Sequence, residues 1–95
     1  MKIIWDLQAK TSLKEIYNYI KKDSPQNAKK VRDTIIDSIS NLDGKLIHRP
    51  DKYKMNNDGT YRAYQLYSYR ISYRITDAEI KILRLRHVKM KPQAF

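Results

Sequence analysis

The chain has 95 residues, enough for one domain with a single modest core, and it carries a formal net charge of +10. It has no cysteine, which excludes a disulfide framework, a thiolate nucleophile and thiolate metal sites. The opening Met1-Lys2-Ile3-Ile4-Trp5-Asp6 turns polar too soon for a signal peptide, and no later apolar run reaches membrane-spanning length, so a cytoplasmic protein without membrane contact is expected. The charge is uneven: residues 1–44 hold eight Lys/Arg against six Asp/Glu, hence +2, and residues 45–95 hold twelve against four, hence +8. A field of that sign in the C-terminal half attracts RNA, DNA or an acidic protein segment, and charge alone does not choose among them.

In chain order, Lys2 to Trp5 reads as a short strand of β-branched and aromatic residues. Ser12-Leu13-Lys14-Glu15 has capping-box spacing and predicts a helix start, after which Leu13, Ile16, Tyr17 and Ile20 form an apolar stripe. Ser24 and Pro25 fit the cap and first position of a second helix, making a helical hairpin. Its stripe of Ala28, Val31, Ile35, Ile39 and Leu42 predicts a span from about Pro25 to Asp43, closed by a left-handed Gly44.

From Lys45 to Thr60 periodicity is lost. A loop of this length bearing Lys45, His48, Arg49, Lys52 and Lys54 is read as either partner-contacting or simply solvated. Tyr61 to Leu66, Tyr69 to Ile75 and Glu79 to His87 then alternate as three antiparallel strands in a meander. In the middle one, Tyr69, Ile71, Tyr73 and Ile75 face one way while Arg70, Ser72 and Arg74 face the other. The last strand conflicts with strict alternation, because Ile80 and Ile82 share a face with Arg84 and Arg86; either a bulge near Ile82-Leu83 or burial on both sides resolves it. The expected fold is α+β: an N-terminal strand, a helical hairpin and a three-stranded meander, with helices on one face of a small twisted sheet and a single domain over 1–95.

No glycine-rich phosphate loop and no metal-ligand spacing occurs, so no metal and no cofactor is implied. What stands out is the concentration of Arg62, Arg70, Arg74, Arg84, Arg86, His87, Lys89 and Lys91. Guanidinium clusters bind phosphates bidentately and stabilise charge at a reacting phosphorus, and they also clothe exposed sheet faces with no further role. His87 is read either as a general acid or base or as a plain strand-end histidine. Tyr61, Tyr64 and Tyr67 are read as base-stacking candidates or as packing residues.

Leu13-Lys14-Glu15-Ile16, the Ala28 helix, Tyr61-Arg62-Ala63, the strand Tyr69-Arg70-Ile71-Ser72-Tyr73-Arg74-Ile75 and the strand Ile82-Leu83-Arg84-Leu85-Arg86-His87 together resemble the RelE/ParE toxin superfamily over nearly the whole chain. The resemblance implies the growth-inhibiting toxin of a type II toxin–antitoxin pair, neutralised by a cognate antitoxin that wraps it. It also implies one of two targets. A RelE-like branch cuts mRNA on the ribosome, for which Arg70, Arg84, Arg86 and His87 would be the catalytic residues. A ParE-like branch poisons DNA gyrase without being an enzyme, and Tyr61, Arg62, Tyr64, Arg70, Arg74, Lys89 and Lys91 would then be binding residues. Tyr61 and Ala63 stand where the nuclease branch tends to place lysines, and the tail ends in Phe95 where a catalytic phenol would stand, so the ParE-like branch is favoured.

Overall fold

The computed structural model describes residues 2–42 and 58–88 of the chain. The first strand, β1 (Lys2–Trp5), is followed by helices α1 (Leu7–Lys21) and α2 (Pro25–Ser40), and by strands β2 (Tyr61–Leu66), β3 (Tyr69–Ile75) and β4 (Glu79–His87). This is the expected α+β order. The four strands form one sheet in the order β1-β4-β3-β2. The three C-terminal strands pair antiparallel as a meander, whereas β1 lies parallel to β4, with Ile3 beside Ile80 and Trp5 beside Ile82.

Helix α1 begins earlier than the capping-box spacing suggests. It starts at Leu7, with Asp6 at the cap making no side-chain cap bond, and it places Ser12 in mid-helix, where the hydroxyl donates to the Gln8 carbonyl at 2.8 Å. The earlier start brings Ala9 into the core, fully buried, on the stripe continued by Leu13, Ile16 and Ile20. Helix α2 begins as expected: the Ser24 hydroxyl accepts from the Asn27 amide at 3.2 Å and Pro25 occupies the first turn. It ends at Ser40, three residues before the expected Asp43, yet Leu42 is still buried, its amide donating to the Ile39 carbonyl. Gly44 and the loop cations Lys45, His48, Arg49, Lys52 and Lys54 lie outside the described residues.

The core lies between the helical hairpin and one sheet face, where Ile35, Ile39, Ile71, Tyr73, Ile80 and Ile82 are all but fully buried. Each such side chain contributes on the order of 1.5–3 kcal/mol of transfer free energy. The register conflict in β4 is resolved by a bulge. Ser72 pairs with Arg84 and Tyr73 with Ile82, so Leu83 is the extra residue. Ile80, Ile82 and Leu85 thereby all reach the core, while Lys81, Arg84 and Arg86 alternate to the other side. Among the described residues, no helix is long and apolar enough to cross a membrane.

Candidate functional site

The sheet face turned away from the helices is built from three rows of paired residues across β2, β3 and β4. They read Tyr61, Arg74 and Lys81; then Ala63, Ser72 and Arg84; then Gln65, Arg70 and Arg86. Alternation along each strand fixes this composition, because the intervening residues Tyr64, Ile71, Tyr73, Ile82 and Leu85 pack toward the core. None of the nine row positions is acidic. The smallest side chains, Ala63 and Ser72, sit in the central row, and Ser72 is only 2% exposed. Arg70 stands directly opposite Arg86, an arrangement of like charges that costs free energy in an antiparallel pair. Arg86 is 6% exposed.

The first row is tied down by groups of its own. The Arg74 guanidinium lies 4.8 Å over the Tyr61 ring, its Nε donates to the Thr60 hydroxyl at 3.1 Å, and it stands 3.8 Å from the Asp58 carboxylate. Bonds from the Thr60 hydroxyl and then its amide, with Arg74 adding to them, hold the Asp58 carboxyl below its ordinary range. Asp58 and Thr60 were legible in the sequence only as turn punctuation, since nothing local marks them as partners of a residue fourteen or more positions away.

Other candidates lie elsewhere. Arg62 pairs with Tyr73, on the opposite side of β2 from Tyr61, and donates from Nε to the Gly59 carbonyl at 2.8 Å. Tyr64 also turns inward: its hydroxyl is 2.9 Å from that of Ser38 and its ring meets Tyr73 edge-on at 6.1 Å, so it packs rather than offering a stacking surface. Burial pushes the Tyr64 phenol above its ordinary value, against the Ser38 bond. Tyr67 is exposed at the β2–β3 turn, with a left-handed φ of 55°. Lys89 and Lys91 lie outside the described residues.

His87 is on the helix side, paired with Tyr69 and meeting its ring edge-on at 5.5 Å. The two border a cleft of about 540 Å³ between α1 and the end of β4, whose lining also includes Glu15, Tyr19, Arg84 and Arg86. The Tyr69 phenol is raised above its ordinary value by burial and then by Tyr19. Glu15, Tyr19 and Tyr69 did not enter the sequence reading of the site; the available signal was Tyr19, a large aromatic standing off the apolar stripe and 68% exposed. Alternation along β4 turns His87 to the helix side, yet Arg84 and Arg86 reach the same cleft, and of the four candidates only Arg70 stands apart from its lining. No cluster of three potential metal ligands occurs among the described residues.

A small basic α+β domain with a helical hairpin on one sheet face and cations on the other defines the class. The sequence model of the ParE toxin of the type II toxin–antitoxin system parDE matches residues 3–92, and the chain belongs to that family, the toxin side of such a system. It is similar in fold to a solved structure described as a chromosomal ParDE toxin–antitoxin system from P. aeruginosa, with a TM-score of 0.73 and 22% identity over 92% of this chain and 95% of that one. No curated protein matches it.

Proposed function

We propose that this chain arrests growth by acting on DNA gyrase, in the ParE-like manner, and that its cognate antitoxin silences it by covering the protein. The observation that carries the choice of target is the match of residues 3–92 to the ParE toxin family. Cutting RNA needs a proton-transfer group within hydrogen-bond reach of the same phosphate that the arginines hold. The only described histidine meets the Tyr69 ring edge-on in a cleft that Arg84 and Arg86 also line, and this is the observation that keeps the ribonuclease reading as the second one.

The test is induction of the chain without antitoxin. The expected outcome is growth arrest with gyrase-dependent double-strand breaks and an SOS response, and inhibition of supercoiling by purified gyrase. Ribosome-dependent mRNA cuts that vanish in Arg70→Ala or His87→Ala would replace this reading with the endoribonuclease one. Unchanged growth would mark an inactive member of the family.

A further inference from the structure

We infer that the end of the sheet where the β2–β3 turn meets the close of β4, with the cleft beside it, docks an acidic, apolar-bearing segment of the toxin's protein target, an inference that rests on the gyrase reading. The turn itself gives the first sign. β2 and β3 are joined by two residues, Tyr67 and Ser68, between the paired Leu66 and Tyr69. So tight a turn needs a left-handed backbone at its first central position, which glycine, asparagine and aspartate fill at little cost. Here Tyr67 fills it at φ 55°, where a bulky side chain crowds its Cβ against the backbone. Closing the hairpin does not ask for an aromatic ring, and the ring is not buried in return: it is 48% exposed, and its hydroxyl meets that of Thr34 at a long 3.4 Å. Backbone strain kept at an exposed side chain points to a contact that the strain serves.

Tyr67 has neighbours suited to the same task. The Val88 amide donates to the Ser68 carbonyl at 2.8 Å, which sets Val88 beside the turn, and the next pair, Tyr69 and His87, opens onto the cleft that Tyr19 also lines. Three of the five large hydrophobics exposed among the described residues, Tyr19, Tyr67 and Val88, therefore stand at this end. Tyrosine and arginine are the residue types that anchor protein interfaces. Ile16, Ile20 and Leu85 give the cleft apolar walls, and half-buried Arg84 brings a guanidinium that can take a carboxylate by two parallel bonds.

Charge selects the occupant. The chain's own residues beyond Val88 include Lys89 and Lys91 and no acid, and a second copy would bring another +10, so neither complements Arg84. A nucleic-acid backbone is charged at every nucleotide and meets Glu15 in the lining as well as Arg84. A peptide can instead set a carboxylate at Arg84 and an apolar side chain against the aliphatic walls. An antitoxin that wraps the protein conforms to the surface it meets, and a rigid, strained turn gains it little. A folded target cannot conform, so anchors held in place beforehand lower the ordering cost of binding it.

The experiment measures inhibition of supercoiling by purified gyrase, with the full chain and its variants, beside their thermal midpoints. Tyr67→Asn, which suits the left-handed position, is expected to raise the midpoint by about 4 °C and yet to weaken inhibition at least about tenfold. Tyr19→Ala and Arg84→Gln are each expected to weaken inhibition about tenfold with unaltered midpoints. Lys29→Gln removes an exposed charge on α2 and is expected to leave inhibition unchanged. A wild-type chain without effect on gyrase would overturn the gyrase reading and this inference with it, whereas full inhibition by Tyr19→Ala and Arg84→Gln beside an inhibitory wild type would overturn this inference alone. A lowered midpoint in Tyr67→Asn would make that ring a structural one and also overturn it. Full gyrase inhibition together with lost antitoxin affinity in calorimetry would assign the surface to the antitoxin, with lost self-association in sedimentation to a second copy, and with lost oligonucleotide affinity to a nucleic acid, and each of these three overturns the proposal.

Discussion

Tyr64 joins packing and titration in a single side chain. Its ring meets Tyr73 in the core and its hydroxyl reaches Ser38 of α2, so one bond links the sheet to the hairpin. Tyr64→Phe keeps the ring and removes the bond, and the expected cost at pH 7 is about 1 kcal/mol, read from urea unfolding. Burial raises the folded phenol above the value near 10 that the unfolded chain retains. A raised acid holds its proton longer in the folded state, so this contribution is complete below about pH 10 and is lost as pH rises through the folded value. Between pH 10 and the onset of alkaline unfolding, the stability curves of wild type and Tyr64→Phe should therefore converge. Tyr69, shifted in the same direction by burial and Tyr19, keeps the variant from becoming wholly pH-independent. Parallel curves would mean that Tyr64 ionises equally in both states.

At the scale of elements, two serines that look alike in sequence have opposite roles. Ser24 caps α2 by accepting from the Asn27 amide, and Ser24→Ala is expected to cost about 1 kcal/mol. Ser12 lies in the middle of α1 and bonds back to Gln8, so Ser12→Ala should be neutral or stabilising by a few tenths of a kcal/mol. Equal losses for the two in thermal unfolding would restore Ser12 as a cap. The elements themselves were legible because their apolar periods are long and consistent: Val31, Ile35 and Ile39 on a helix, Ile71 and Tyr73 on a strand. The start of α1 was not, since Asp6-Leu7-Gln8-Ala9 shows no stripe by itself and is recruited by Ala9 packing into the core. The bulge at Leu83 was legible as a conflict, because four aliphatics cannot share one face of a regular strand. Which residue would be extra depended on the pairing with Ser72 and Tyr73, and the parallel placement of β1 beside β4 likewise depends on a partner more than seventy residues away.

Across the whole molecule the sheet divides a cationic face from an apolar, helix-covered one, and that division was only partly visible in advance. Alternation placed Arg70 and Arg74 together, whereas Arg62 and His87 fall on the other side because of pairings that local sequence does not contain. The helical side carries its own exposed apolar residues. Ile36, 40% exposed, borders a hollow of about 270 Å³ with Trp5, Lys10 and Leu13. A partner that silences the toxin by wrapping it has apolar surface to bury there, on the side away from the arginines. Ile36→Glu should then cost little in folding, since the position is open to water, but a carboxylate trapped in an interface without a partner is unfavourable. The expected result is at least about tenfold weaker antitoxin binding, or about 1.4 kcal/mol, by calorimetry. Growth arrest by Ile36→Glu alone should match that of wild type, while co-expressed antitoxin should no longer rescue growth fully. Full rescue with unaltered affinity would move the antitoxin contact off this hollow, and loss of arrest in the absence of antitoxin would place the toxin's working surface on the helices instead of the sheet.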